Sequence, residues 1–337
     1  MYTLVDKNKS SFLPLTYSRP ISSLRVGILT IKEKWELALN QEVGVKSDEY
    51  LGMNLHLNGE EKDASILPSS NKLNNIWDIY VLNAIEISND FSALIKGRKS
   101  NKISNTNKII GEKSLIFVED GATIEASILN TKSGPIYVGK NAKIMEGSMI
   151  RGPFALCEGG VVKMGTKIYS GTTVGPYSKV GGELNNVVIQ GFSNKAHDGF
   201  LGNSVIGEWC NIGADSNNSN LKNNYEEVKL WCYDEEKFIN TKRQFCGLFM
   251  GDHSKFGINT MVNTGTIIGF SVNLFGSGFP RNFIPSFSWG GTSGFKTYQL
   301  KKAIETAKLV MQRRDKIFSN KDTRIFNHIY NQTSKYR

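Results

Sequence analysis

The stretch VGKNAKIMEGSMIRGPFALCEGGVVKMGTKIYSGTTVGPYSKV, residues 138–180, has an aliphatic residue at every sixth position: Val138, Ile144, Ile150, Leu156, Val162, Ile168, Val174 and Val180. A second run of the same period follows at Met250, Phe256, Val262, Ile268 and Leu274. With 39% of the chain apolar, an unbroken run of eight arises by chance roughly once in 2,000 starting positions. A period of six fits neither a helix, at 3.6, nor a single two-sided strand, at 2. It fits a parallel β-helix of short strands, in which each hexapeptide turns one aliphatic side chain into a shared axial core.

Working outward, the solenoid is expected from about Leu115 to Phe279. Glycine often follows the aliphatic position, as at Gly139, Gly175, Gly181, Gly202, Gly207, Gly213, Gly251, Gly257 and Gly269. The expectation is that these residues supply positive φ at the corners of the coil. The period lapses over 182–200 and 214–246, which read as insertions looping out of the solenoid. Before it, Tyr2–Val5 reads as a strand, 28–39 as a helix, and the polar 97–108 as a linker. Beyond Gly290, the spacing of Leu300, Ile304, Ala307, Met311 and Ile317 predicts one amphipathic C-terminal helix.

The net charge of +10 comes from 41 Lys and Arg against 31 Asp and Glu. It is diffuse, with no basic helix interleaved with aromatics, so it points to anionic small molecules and away from nucleic acid. Cys157, Cys210, Cys232 and Cys246 have no paired spacing, and neither a metal site nor a disulfide framework is expected. No apolar leader or long apolar run is present, so the expectation is a cytoplasmic protein without a membrane partner.

The densest polar stretches are Asn194-Lys195-Ala196-His197-Asp198-Gly199, Asn211-Ile212-Gly213-Ala214-Asp215, and Ser219 to Tyr225. A histidine can take a proton from an amine at neutral pH, asparagine amides can donate to an oxyanion, and lysines can hold phosphate. The hexapeptides, His197-x-x-x-Leu201-Gly202, Asn211-Ile212-Gly213-Ala214, Asn220-Leu221 and Val228-Lys229 together resemble a left-handed β-helix acetyltransferase. With Leu13-Pro14-Leu15-Thr16-Tyr17-Ser18-Arg19-Pro20 and Leu24 to Trp35, they resemble the bifunctional UDP-N-acetylglucosamine diphosphorylase/glucosamine-1-phosphate N-acetyltransferase family. The similarity is to its short, Bacteroidetes-type form.

That resemblance implies an α/β remnant of a nucleotidyltransferase domain (1–110), a left-handed parallel β-helix acyltransferase domain (111–283) and a C-terminal helical tail (284–337). It implies acetyl-CoA as co-substrate, an amino-sugar 1-phosphate as acceptor in UDP-N-acetylglucosamine synthesis, and a homotrimer. His197 would be the general base, Asn220 would lie near the reacting carbonyl, and Lys229 near the sugar phosphate. Asn194, Lys195, Asn223, Asn224 and Tyr225 would bind substrate, and Asn211, Ala214 and Asp252 acetyl-CoA. No metal ligand is implied; Mg2+ enters only if the N-terminal half transfers nucleotides, with Arg19, Arg25 and Lys34 as its phosphate-binding cations.

The chain departs from the family in four places. Phe200 stands where a tyrosine is usual, Leu156 and Glu158 where arginines grip the sugar nucleotide, Ile21 where a lysine is expected after Pro20, and Asp6 to Phe12 lack the glycine loop that cradles a triphosphate. A P-loop lookalike at 134–141 ends in Asn141 and falls inside the hexad run, so it is set aside. His253 reads as a surface turn histidine. Two rival readings remain: a sugar-1-phosphate nucleotidyltransferase, and a non-catalytic assembly or sensing protein.

Overall fold

In the computed structural model, which describes residues 2–55 and 59–337, the hexad run forms a parallel β-helix of triangular section. Val138, Leu156 and Val174 stack in register on one face, as do Ile144, Val162 and Val180 on the next, and Ile150 and Ile168 on the third. Their side chains are at most 3% exposed and form one continuous aliphatic core.

The three faces differ in what lies outside them. On the covered face, strands such as Ile116–Val118, Phe154–Leu156 and Leu248–Met250 are buried on both sides. Their sequences are correspondingly apolar throughout, as a doubly covered parallel sheet requires. On the flank face (Lys143–Ile144, Val161–Val162, Lys179–Val180, Asn194–Lys195) and the open face (Ile128–Asn130, Met149–Arg151, Lys167–Ile168), inward residues are buried and outward ones face solvent.

The covering layer is the N-terminal unit. Tyr2–Val5 is the central strand of a parallel sheet, between Gly44–Lys46 and Glu60–Asp63. Helix α1 (Ile31–Leu39) begins at a capping box made by Thr30 and Glu33 and ends at Asn40 in the left-handed region. Helix α2 (Asp78–Leu94) lies on the covered face, where Asn83 Nδ2 donates to Gly171 O and Thr173 Oγ1. Helix α2 is an addition to the elements expected from the sequence.

Four other expectations are corrected. Strand pairing starts at Lys108–Ile110 and continues to Ser288–Gly291, beyond both expected ends. The segment 182–200 is no insertion, because Glu183–Gly191 and Phe200–Glu208 are long, paired strands. The period lapses there because this coil is shorter, and residues of the open and covered faces run on in single strands. The excursion proper is confined to 219–246. The C-terminal tail is two helices, α3 (Leu300–Gln312) and α4 (Asn320–Gln332), and Ile317 stands outside both, 88% exposed.

The glycine expectation also fails in its reason. None of the nine glycines that follow the aliphatic positions has positive φ. They are glycine because the next coil stacks against them: a Cβ on Gly175 would lie 2.2 Å from Gln190 O, and one on Gly181 2.5 Å from Ala196 O. The left-handed corners fall elsewhere, and one corner line is filled by Asn141, Gly159, Tyr177, Phe192, Trp209 and His253. Tyr177, Phe192, Trp209 and His253 stack ring on ring, with centroids 5.3, 4.3 and 6.3 Å apart, and this packing offsets the strain of left-handed non-glycine residues. His253 is therefore buried, not a surface turn. Burial, then Lys255 and Arg19, hold its imidazole well below the ordinary histidine range.

Candidate active site

At the inward position of the flank face, successive coils carry Ile124, Ile144, Val162, Val180, Lys195, Ile212, Phe256 and Leu274. Lys195 breaks this apolar column and is 2% exposed. A buried ammonium is tolerated only where it finds acceptors. Its Nζ donates to His197 O at 2.5 Å and Asp198 O at 3.0 Å. Burial lowers its pKa to about 8, while Asp198 and Asp215 act in the opposite direction.

With their carbonyls drawn inward to the lysine, His197 and Asp198 stand exposed at the corner. The corner closes at Gly199, φ +113°, where a Cβ would lie 2.2 Å from Ser216 O. Phe200 N then donates to Asn217 Oδ1 at 2.7 Å, so this departure from the family pattern is fixed by its backbone.

The open face has the same irregularity one coil on. Its inward column runs Leu129, Ile150, Ile168, Leu184 and Leu201, and then Asn218, 5% exposed. The Asn218 amide accepts from Gly202 N at 2.8 Å and donates to Gly202 O and Ser219 O, both at 3.1 Å. It takes over backbone hydrogen bonding just where the chain leaves the coil at Ser219.

The excursion forms a hairpin, Lys229–Cys232 with Lys237–Asn240, clamped by the rest of the chain. Trp231 stacks on Phe283 at 4.3 Å, Tyr233 meets Tyr17 edge-on, and Tyr80 Oη donates to Phe245 O at 2.8 Å. Under the hairpin lies a groove of about 670 Å³, lined by Lys222, Lys229 and Arg281 with Val228, Phe238 and Phe283. Lys229 thus lines an electropositive groove. Asn220 Nδ2 donates to Asn203 Oδ1 at 2.7 Å, and Asn223, Asn224 and Tyr225 are exposed on the outer turn.

His197 does not line this groove. His197 ends the flank face, Asn220 begins the excursion, and the open-face strand between them spans roughly 10 Å. The residues expected to hold acetyl-CoA also separate. Asn211 is exposed on the flank face, bridged to Asn194 and Lys255, and Ala214 is half-buried beside Asn259. Next to Ala214, a groove of about 770 Å³ runs past Asp215, Asn217, Asn259 and Ser277. Asp252 is 3% exposed on another corner, its carboxylate taken by Ser18 Oγ, Arg19 and Glu208 N.

The N-terminal cations are equally committed. Arg19 is ion-paired with Asp252 and with Glu208 (3.0 Å); burial opposes its charge, but these two carboxylates hold its pKa above the ordinary value. Lys34 is buried between Glu86 (2.9 Å) and Asp90 (2.5 Å). Arg25 is 8% exposed, its guanidinium donating to Ile28 O and 3.8 Å from Glu33. Cys210 and Cys246 are buried free thiols, both pushed up to about 12 by burial, and as such are poor nucleophiles.

Comparison with known proteins adds three observations. The profile of a family described as "Sugar nucleotidyl transferase" matches residues 2–72. Over 183 residues the chain is 24% identical to "Uncharacterized acetyltransferase YaiX" of Escherichia coli O6:K15:H31 (strain 536 / UPEC), covering 54% of this chain and 76% of that protein. Over 164 residues it is 26% identical to "Bifunctional sugar-1-phosphate nucleotidylyltransferase/acetyltransferase" of Sulfurisphaera tokodaii, covering 48% of this chain and 40% of that protein.

Among solved structures, the polySia-specific acetyltransferase NeuO aligns at TM-score 0.32 and 14% identity, over 62% of this chain and 94% of that one. AntD, an N-acyltransferase from Bacillus cereus in complex with dTDP and coenzyme A, aligns at 0.25 and 12%, over 61% and 91%. At such scores no residue is carried across. No helix among the described residues is long and apolar enough to cross a membrane.

Proposed function

We propose that the chain transfers the acetyl group of acetyl-CoA to the 2-amine of an amino-sugar 1-phosphate, with glucosamine 1-phosphate as the first acceptor to test. His197 acts as general base. It accepts the amine proton as nitrogen attacks the thioester carbonyl; the C–S bond then breaks and the coenzyme A thiolate takes up a proton. The observation that carries this reading is the His197 corner. A buried lysine at an otherwise apolar position holds the carbonyls of residues 197 and 198, which leaves an exposed imidazole on a rigid backbone. The acetyltransferase names of the more similar relatives agree with it.

A homotrimer is part of the proposal. The exposed outward residues Ile128, Met149, Tyr169 and Met261 give the open face apolar patches among the outward charges Arg151, Lys167 and Glu183. A second copy packed along it would bring one chain's His197 toward its neighbour's Lys229 groove, giving the base and the phosphate ligand a common site. Nucleotidyl transfer by residues 1–110 draws less support, because Arg19 and Lys34 are neutralised by internal carboxylates. UTP or dTTP binding with Mg2+ would restore it.

The test is free-thiol release from acetyl-CoA with glucosamine 1-phosphate, comparing wild type with His197→Ala. A fall of roughly 10²-fold or more is expected. Undiminished turnover in the variant would remove His197 from the mechanism. Absence of acetyl-CoA binding in wild type would overturn the reading.

A further inference from the structure

The turn joining α3 to α4 crosses the flank face next to the strand that leads into the His197 corner. Arg314 donates from one guanidinium nitrogen to Tyr177 O and from another to Asn194 Oδ1, both at 2.9 Å. Asn194 is the direct register partner of Lys179 on the adjacent strand, and Lys179 is in turn the partner of Val161. Lys163, two residues beyond Val161, shares its outward side, and its backbone N–H donates to Val180 O. Arg313 and Lys316 flank Arg314 in the turn, with Lys316 Nζ 5.9 Å from the rings of both Tyr177 and Phe192.

Five cations therefore converge on one patch. Among the described residues, none of them has a carboxylate within ion-pair distance, whereas fifteen such pairs occur elsewhere in the fold. No acidic group among the described residues acts on Lys179 or Arg314; the Glu158 carboxylate accepts from Tyr177 Oη at 2.9 Å, and Asp315 stands exposed in the turn itself. Burial, then Arg314, Lys163 and Arg313, depress the Lys179 pKa; burial and Arg313 depress that of Arg314. Holding like charges together without a counterion is costly, and a bound anion would relieve it.

We propose that Lys163, Lys179, Arg313 and Arg314 form a phosphate site, which takes the phosphate end of a substrate whose reacting end lies at His197. Lys316 closes its outer edge. Asn194 and His197 are three residues apart, at most roughly 11 Å of chain, so one phosphorylated ligand can reach both. The anion site stands on its own; its assignment to a substrate rests on the acetyl-transfer reading. Two sources share this chemistry, the acceptor's 1-phosphate and the phosphates of coenzyme A.

The experiment pairs binding with kinetics. Inorganic pyrophosphate is titrated into wild type, Lys179→Gln/Arg313→Gln and the charge-preserving Lys179→Arg by calorimetry. KM and kcat are then measured for acetyl-CoA, 3′-dephospho-acetyl-CoA and glucosamine 1-phosphate. Wild type and Lys179→Arg are expected to bind pyrophosphate, and the double variant at least tenfold more weakly, with an unchanged melting temperature. The KM of one substrate should rise about tenfold with kcat nearly constant. A shift confined to glucosamine 1-phosphate assigns the acceptor; a shift for acetyl-CoA assigns the coenzyme, to its 3′-phosphate where 3′-dephospho-acetyl-CoA does not share it and to its pyrophosphate where it does. Pyrophosphate binding that is equal in wild type and the double variant overturns the site. Binding lost in the variant, with no acetyl transfer by wild type, keeps the anion site and rejects the acetyl-transfer reading.

Discussion

The lower coils of the solenoid, residues 116–180, and the upper coils, 183–262, share one architecture but differ inside. In the lower coils the inward positions Ile124, Leu129, Val138, Ile144, Ile150, Leu156, Val162, Ile168, Val174 and Val180 form an uninterrupted aliphatic column. In the upper coils two of these positions are Lys195 and Asn218, and each spends its hydrogen bonds on the backbone of an irregular corner. The lower half thus keeps these columns aliphatic and leaves its corner carbonyls to buried hydroxyls beside them (Ser127, Ser148, Thr166), whereas the upper half places the polar group in the column itself. The difference teaches that a repeat gains control over corner backbone by giving up aliphatic positions, and His197 and Asp198 are the exposed residues whose carbonyls are held in this way.

This contrast is open to direct attack, and the largest effect is expected in the lower coils. Leu156 is fully buried, so Leu156→Ala should destabilise the fold by roughly 2–5 kcal/mol while leaving turnover per folded molecule within twofold of wild type. Urea unfolding alongside thiol-release kinetics reads both. A loss of turnover well below the unfolding transition would mean that the lower coils are not merely a scaffold. In the upper coils, Asn218→Ala strands the buried Gly202 N–H, at a cost of about 1–3 kcal/mol. Because it also frees the start of the excursion, turnover should fall as well, through the Lys229 groove. Equal stability loss with unchanged kcat and KM would erase the distinction between the two halves.

The regular half was legible because side-chain period and coil length agree: Val138, Leu156 and Val174 are 18 residues apart and stack in register. From Val180 to Lys195 the interval is 15, and the phase is lost. A polar residue in a polar stretch then looks the same whether it points inward or outward, so in sequence the inward Lys195 has the look of a substrate ligand. Helix α2 escaped for a related reason. Its buried side sets Asn83, Glu86 and Asp90, which are satisfied by Gly171, Thr173, Lys34 and neighbouring groups, among Ile79, Tyr80, Ile87 and Phe91, so its apolar stripe is broken. Arg19 and Lys34 have the composition of phosphate ligands, but their carboxylate partners lie up to 233 residues away in the chain, and only the fold brings them together. The cations of the flank face were invisible for the same reason, since Lys163 and Lys179 meet Arg313 and Arg314 only where the C-terminal turn crosses the solenoid.

The smallest expected effect is the most specific to the upper half. Lys195 has a folded pKa lowered to about 8, largely by burial, and an unfolded lysine titrates near roughly 10.4. Below about pH 8 both states carry the proton, and the residue adds no slope. Between the two values the unfolded chain holds a proton that the folded chain has released, so this lysine makes stability rise with pH across that window. Other groups act there too. Lys255, also lowered to about 8 by burial, adds a rise of the same sign, while Cys210 and Cys246, raised to about 12, make stability fall once unfolded thiols ionise. The informative quantity is therefore the difference between wild type and Lys195→Met, followed by urea unfolding from pH 7 to 10. Methionine fills the apolar column without a charge to desolvate. Its stability relative to wild type should thus be greatest near pH 7 and decline towards pH 10. The same variant loses the bonds to His197 O and Asp198 O, so its turnover at pH 7 should fall although its core resembles that of the lower coils. A difference that is flat in pH would mean that the amine is not desolvated. A fall in turnover absent at every pH would mean that the lysine does not orient His197, and the two halves would then differ in sequence alone.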